Sequence, residues 1–191
     1  PRDKSKLVVS QKNKFKIFSF ERIIDFLQPN DALIFNETKV LPAGINGFVD
    51  GCKVSVNLNR LLQNKNKVIW SAFFKTSRKV KKNDKLLFSK NFVAKVDAIK
   101  IYKGTKLFII SFSYTYSKFL THLNQFGEAP LPPYIKKLRK PKKKDKNTYQ
   151  SILAKNGGSV AAPTASLHFS NKLLKKIKKK GISIIKVTLH I

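Results

Sequence analysis

From Leu41 to about Phe126 the chain is written in short alternating apolar and polar runs with little helical periodicity, and this pattern restricts the fold more than any other feature. Alternation at a period of two places every second side chain on one face of an extended strand. Turn chemistry separates the runs: Asp50-Gly51, Lys82-Asn83-Asp84 and Lys103-Gly104 are residues that tolerate tight reversals. The spacing predicts strands over Gly44–Val49, Lys53–Leu58, Val68–Ala72, Lys85–Leu87, Phe92–Ile101 and Lys106–Tyr114. Six is the strand count of a small closed barrel. Tyr116–Phe126 reads as a short helix with Phe119, Leu120 and Leu123 on one face.

The flanks have a different grammar. Leu7–Val9 and Phe15–Phe18 predict a hairpin across the polar turn Ser10–Lys14. Phe20, Ile23, Ile24 and Leu27 form a helical stripe, with Ser19 placed to cap it, Glu21 in its first turn and Pro29 to end it. Ala32–Phe35 is a brief apolar strand of the kind buried in α/β sheets, and it delivers the chain into Asn36, Glu37, Thr38 and Lys39. Beyond the alternating region, Gly127–Tyr134 is a Pro-punctuated loop and Lys136–Lys146 a nearly continuous basic run, either a solvated loop or a phosphate contact. Ser170 is placed to cap a helix bearing Leu173, Leu174 and Ile177, which Gly181 ends; Ile182–Ile191 is then expected as a buried strand. The chain begins at Pro1, contains no Met and stops on an apolar strand, so truncation at both ends is expected.

Forty Lys and Arg against ten Asp and Glu give a formal net charge of +30, a field that draws polyanions and makes nucleic acid the natural partner. Only five of the forty are Arg, so the charge supplies affinity more than base-reading geometry. The single cysteine, Cys52, excludes an internal disulfide and a Cys-based zinc site, and is expected as a small buried apolar residue. No apolar run is long enough to span a membrane. A cytoplasmic monomer is expected.

Gly158–Phe169 reads GSVAAPTASLHF, rich in small residues, with Thr164, Ser166 and His168 at every second position. An extended backbone would aim all three the same way, as in the lining of a site. His168 and His190 are either core histidines hydrogen-bonded to backbone or acid–base groups, since imidazole titrates near neutrality, whereas His122 reads as structural. The acids Asp25, Asp31, Asp50, Asp84, Asp97 and Asp145 fall on helix faces, in turns or in the basic run, where solvation accounts for them. No HExxH, GxGxxG, Walker or GxSxG pattern occurs, so metal and nucleotide-hydrolysis chemistry find no support.

Taken in order, NETKVLPA (Asn36–Ala43), PLPPYI (Pro130–Ile135), Tyr149-Gln150, GSVAAPTASLHF (Gly158–Phe169) and VTLH (Val187–His190) resemble the S-adenosylmethionine:tRNA ribosyltransferase-isomerase family of queuosine biosynthesis. The opening PRDKSKLVV resembles the family's early Arg-Asp-x-Ser segment. The resemblance implies a mixed α/β core domain, residues 1–40 and 129–191, interrupted by a six-stranded antiparallel Greek-key β-barrel, residues 41–128. It implies a transferase-isomerase that moves the ribosyl group of S-adenosylmethionine onto an aminomethyl-deazaguanine at the tRNA wobble position, giving epoxyqueuosine with release of adenine and methionine. S-adenosylmethionine is then a substrate, no metal is needed, and the tRNA anticodon arm is the partner. Two departures from the family pattern are Gly44, where an Arg is usual, and Ser166, where a Gly is usual.

The reaction asks for a base to take a proton made acidic by the sulfonium, and for groups to hold substrate and RNA. The resemblance directs these roles to His168 or His190, with Thr164, as catalytic residues. Asn36, Glu37, Thr38, Lys39, Pro132, Tyr134, Ala162, Pro163 and Thr188 are expected to bind substrate, and Lys136, Lys137, Arg139, Lys142, Lys143 and Lys144 to meet RNA. The alternative is a noncatalytic or degenerate basic RNA-binding protein.

Overall fold

The computed structural model of the chain describes residues 2–189. The elements run in the order β1 (Lys6–Gln11), β2 (Lys14–Ser19), a 3-10 helix (Phe20–Phe26), β3 (Ala32–Asn36) and β4 (Thr38–Val40). Six strands follow: β5 (Gly44–Val49), β6 (Cys52–Gln63), β7 (Val68–Lys75), β8 (Lys85–Ser89), β9 (Phe92–Tyr102) and β10 (Thr105–Phe112). Then come helices α1 (Tyr116–Phe126), α2 (Pro133–Leu138) and α3 (Asp145–Thr148), strand β11 (Asn156–Ser159), a 3-10 helix (Thr164–His168), α4 (Asn171–Lys179) and β12 (Ser183–Val187). They divide into two compact units, one made of the residues up to Lys39 with those from Thr148 onward, the other of Val40–Asn147.

The second unit is a closed barrel in the order β10-β7-β6-β5-β8-β9. Its six pairings are antiparallel, and β8 returns beside β5 after the β5-β6-β7 meander, which is the Greek-key connection. The alternation in the sequence becomes the interior: Val54, Val56 and Leu58 of β6, Val68, Trp70 and Ala72 of β7, and Phe108, Ile110 and Phe112 of β10 are all buried. Each such large side chain contributes about 1.5–3 kcal/mol relative to its exposed state. Helix α1 covers the expected residues and sets Phe119 4.8 Å from the Phe112 ring. Strand β6 runs on to Gln63, beyond the Leu58 end read from the pattern, because a register shift between Leu58 and Arg60 lets it continue. The buried Ser71 hydroxyl accepts the Arg60 N–H at 3.2 Å there, so the irregular backbone keeps a partner.

The first unit is built from two-stranded pieces: β1-β2, β11-β4 and the parallel pair β12-β3. Its core gathers Phe20, Phe35, Phe169, Leu173, Leu174, Ile177 and Ile182. Helix α4 starts as expected, the Ser170 hydroxyl accepting the Leu173 N–H at 3.1 Å. Gly181 follows it with φ +81, the left-handed conformation that favours glycine after a helix.

Several expectations need correction. The Phe20–Leu27 stripe forms a 3-10 helix, and Ser19 does not cap it; its hydroxyl donates to Asp3 O at 3.2 Å instead. The i, i+3 and i+4 spacing suits either helix type over so short a run. Ala32–Phe35 is only half covered, with Ile34 67% exposed, and β12 ends at Val187 with Ile185 45% exposed. A two-stranded sheet covers only one face, so a continuous apolar run need not mean burial on both. Cys52 is exposed because it opens β6 at the barrel's edge of register, directly after the Asp50-Gly51 turn. Asp145 is not a solvated acid but a buried one, 1% exposed.

Candidate active site

The signature segment is not extended. Thr164–His168 winds into a 3-10 turn, so residues two apart no longer point together: Ser166 is buried while Thr164 and His168 are exposed. The Ser166 hydroxyl donates to Pro163 O at 2.8 Å, which closes the turn from within and occupies the extra side chain that distinguishes this position from a glycine. Upstream, Ser159 is fully buried and its hydroxyl donates to Ala161 O at 2.7 Å. Small residues here permit these tight turns.

Phe169 anchors the segment. Its ring meets Phe35 at 4.8 Å and Phe20 at 5.0 Å, both edge-on, a geometry in which the aromatic quadrupoles attract. His168 stands at the outer end of this row, 5.2 Å from Phe20. The end of β3 is held at the other end through Phe35.

The Arg2-Asp3-x-Ser5 turn folds onto this segment, which sequence reasoning had not assigned. Ser5 Oγ lies 2.9 Å from His168 Nδ1 and 3.1 Å from Arg2 O. A hydroxyl has one proton; donated to Arg2 O, it leaves Ser5 as an acceptor for the tautomer of His168 that carries its proton on Nδ1. Asp3 Oδ2 accepts the Ser170 hydroxyl at 2.6 Å, and that hydrogen bond holds the Asp3 carboxyl below its ordinary value. Arg2 donates to Gln150 O at 2.7 Å, tying in the Tyr149-Gln150 motif. The clue in the sequence was the compact spacing of a cation, an acid and a hydroxyl within four residues, whose partners lie 148, 163 and 167 residues away.

Asn36 and Thr38 work as a clamp. Asn36 Oδ1 accepts the Thr38 N–H at 3.0 Å and the Leu189 N–H at 3.2 Å. The fully buried Thr38 hydroxyl lies 2.8 Å from Leu189 O and 3.1 Å from Leu189 N. These bonds bring the residues after β3 against Thr188-Leu189. Glu37 is half-buried, with its carboxylate 3.8 Å from Lys186 Nζ and its carbonyl accepting the Lys155 N–H at 2.8 Å, while Lys39 is exposed. Ala162 and Pro163 are half-buried in the turn before Thr164. His190 lies outside the described residues.

Pro132, Tyr134 and the basic run belong to the barrel unit. Tyr134 is 63% exposed, and Lys136, Lys137, Lys142, Lys143 and Lys144 are exposed. Arg139 has a different setting: its two Nη atoms donate to the Asp145 carboxylate at 2.7 and 2.8 Å, and the Lys142 N–H adds a third bond at 2.7 Å. The Arg139 guanidinium beside it holds the Asp145 carboxyl down at about 2. This buried carboxylate folds the basic run into a closed loop with its lysines outward. Gly44, in the same unit, exchanges backbone hydrogen bonds with Glu128 at 3.2 and 2.6 Å. A Cβ at Gly44 would meet nothing nearer than 3.6 Å, so a larger residue fits there. His122 stacks on Phe92 at 5.2 Å in the barrel unit, in keeping with a structural place. Among the described residues no group of three or more His, Cys, Asp and Glu side chains is placed to hold a metal.

Fold and site together define a lysine-rich α/β protein with a Greek-key barrel inserted in the sequence of its first unit, and with an exposed histidine set among polar motifs distant in sequence. The profile of the family described as "Queuosine biosynthesis protein" matches residues 1–191, and the chain belongs to that family. Similar curated proteins are named S-adenosylmethionine:tRNA ribosyltransferase-isomerase: one from Finegoldia magna is 40% identical, covering 100% of this chain and 53% of the relative. One from Sulfurihydrogenibium sp. is 37% identical, covering 100% and 55%. A crystal structure of S-adenosylmethionine tRNA ribosyltransferase from Thermotoga maritima is 24% identical, covers 100% of this chain and 52% of that one, and superposes with a TM-score of 0.38. The chain spans about half the length of the curated relatives it matches.

Proposed function

We propose that the protein is a tRNA-modifying transferase-isomerase, moving the ribosyl group of S-adenosylmethionine onto an aminomethyl-deazaguanine at the wobble position and releasing adenine and methionine. Family membership and the names of the relatives support the reaction class. The observation that carries it to this chain's own residues is the Ser5–His168 pair, which leaves an exposed imidazole with one nitrogen engaged and the other available.

In this reading His168 Nε2 accepts the proton that the positive sulfur makes acidic, and Ser5 keeps the ring in the productive tautomer. Thr164, exposed on the same turn, offers a hydroxyl to the departing adenine. Ala162 and Pro163 shape the wall, and Asn36, Glu37, Thr38, Lys39 and Thr188 position substrate. Pro132 and Tyr134 contact substrate from their own loop. Lys136, Lys137, Lys142, Lys143 and Lys144 meet phosphates of the anticodon arm, while Arg139 supports that loop through Asp145. His190 is the other candidate base. A cytoplasmic location fits this work, and no helix among the described residues is long and apolar enough to cross a membrane.

The test incubates the protein with labelled S-adenosylmethionine and precursor-bearing tRNA. Adenine release that requires that tRNA is expected, and it should fall by about 100-fold or more in His168→Ala if that imidazole is the base. Tight tRNA binding with no adenine release would overturn the reading.

A further inference from the structure

The β1-β2 hairpin has two exposed faces with different chemistry. Its register pairs Leu7 with Phe18, Val9 with Lys16 and Gln11 with Lys14, so Lys14 and Lys16 share a face with Val9 and Phe18. Lys12 joins them from the turn, where Lys12 and Asn13 take φ of 46 and 60, the left-handed pair a two-residue hairpin turn requires. On this face lies a groove of about 430 Å³, walled by Gln11, Lys12, Lys14 and Lys16 and floored by Val9, Phe18 and Phe26. Phe26 is 45% exposed and sits 5.5 Å from Phe18. On the other face Val8, Phe15 and Ile17 are exposed, with Lys6 at the far end of the hairpin.

Charge decides what the groove takes. Residues 6–19 hold four lysines and no acid. Among the described residues none of Lys12, Lys14 and Lys16 forms an ion pair. The acids of the neighbouring 3-10 helix are already engaged, Glu21 by Lys4 and Asp25 by Arg22. Lys14 and Lys16 stand about 6.8 Å apart along the strand, at about 3.4 Å per residue, so their ammonium groups line a row that a chain of phosphates matches and a lone mononucleotide does not. The accessible Phe26 ring supplies a face on which an unpaired base stacks. A duplex keeps its bases inside and offers nothing to that ring.

We propose that this groove is a binding surface for single-stranded RNA, with Lys12, Lys14 and Lys16 meeting successive phosphates and Phe26 receiving a base. It deepens the reading of the protein as a tRNA-modifying enzyme by naming a surface for its RNA, and rests on that reading only for which RNA is bound.

The test titrates the 191-residue chain with a labelled single-stranded RNA of about eight nucleotides, followed by fluorescence anisotropy at several salt concentrations. Replacing Lys12, Lys14 and Lys16 together by Gln should weaken binding by at least about tenfold and lower the slope of log K against log salt by about 2. Phe26→Leu keeps apolar bulk but not the stacking face, and should cost about tenfold. Phe15→Ala, on the opposite face, should bind as the parent does. Unchanged affinity and salt slope in the triple variant overturns the proposal. So does a polyglutamate peptide that binds as tightly as the RNA and loses affinity equally in Phe26→Leu, since that marks the groove as a protein-binding surface. The oligonucleotide is no substrate, which separates the two readings: adenine release with unaltered RNA binding in the variants removes this surface alone, and the expected binding losses without adenine release remove the transferase reading alone.

Discussion

The barrel unit and the discontinuous unit reach order by different means. In the barrel every strand has two neighbours and the side chains at alternate positions fill one closed interior. Backbone pairing and core therefore come from the same residues. In the discontinuous unit no sheet has more than two strands, and Phe15, Ile17 and Ile34 are each at least 65% exposed. What aligns its motifs is a set of single bonds across large sequence separations, from Arg2, Asp3, Ser5, Asn36 and Thr38. Closure makes a scaffold tolerant of surface change; stitching makes an arrangement whose geometry depends on a few side chains.

The comparison can be broken at its strongest point first. A Cβ on Gly127 would lie 2.1 Å from Pro42 O and 2.5 Å from Leu123 O, both backbone atoms. Gly127→Ala should therefore destabilise the barrel by roughly 3 kcal/mol, whereas Gly44→Ala should move a urea midpoint hardly at all. Equal effects would show that close backbone approach does not govern barrel closure.

Asp145 offers the next largest effect. Asp145→Asn should cost about 2 kcal/mol at pH 7, less than a fully buried pair because Arg139 is 34% exposed. The folded carboxyl titrates at about 2 against an ordinary 3.8. Its stabilising contribution is thus complete above pH 3.8 and is lost as the pH falls through 2. Parent and variant unfolding curves should converge over that window; a gap that persists at pH 2 would remove the ion pair as the cause.

Within the stitched unit, Ser5→Ala should lower the rate of adenine release by about tenfold and shift its pH profile, with KM nearly unchanged. A change in KM alone would reassign Ser5 to binding. The smallest effect is expected for Thr38→Val, which keeps shape but removes the hydroxyl beside Leu189. It should cost about 1 kcal/mol and speed exchange of the Leu189 amide several-fold. No change there would mean that Asn36 holds that segment alone.

The barrel was legible because period-two alternation with turn residues has a single physical reading, and all six strands appear where the pattern put them. The α4 cap at Ser170 and the stop at Gly181 were legible for the same reason, since capping is local chemistry. The candidate site was legible only as a set of residue types. Thr164, Ser166 and His168 were read as one face of a strand, yet the Pro163–Ser166 hydrogen bond winds them into a turn. Asp145 looked like one acid among many lysines. Its burial depends on a partner six residues away folding back upon it.

The sequence by itself determined the family, the alternating strands of the barrel, the boundaries of α4 set by its cap and its glycine, and the net positive charge. These follow from periodicity, backbone propensity and composition, which act over a few residues or over the chain as a whole. Only the tertiary structure decided that Ser5 meets His168, that Asp3 meets Ser170, that Thr38 holds Leu189, and that Lys14 and Lys16 border a groove with Phe26. Most of those pairings span more than 150 residues, and a hydrogen bond depends on angles and tenths of an ångström that the packed core sets and no local pattern encodes.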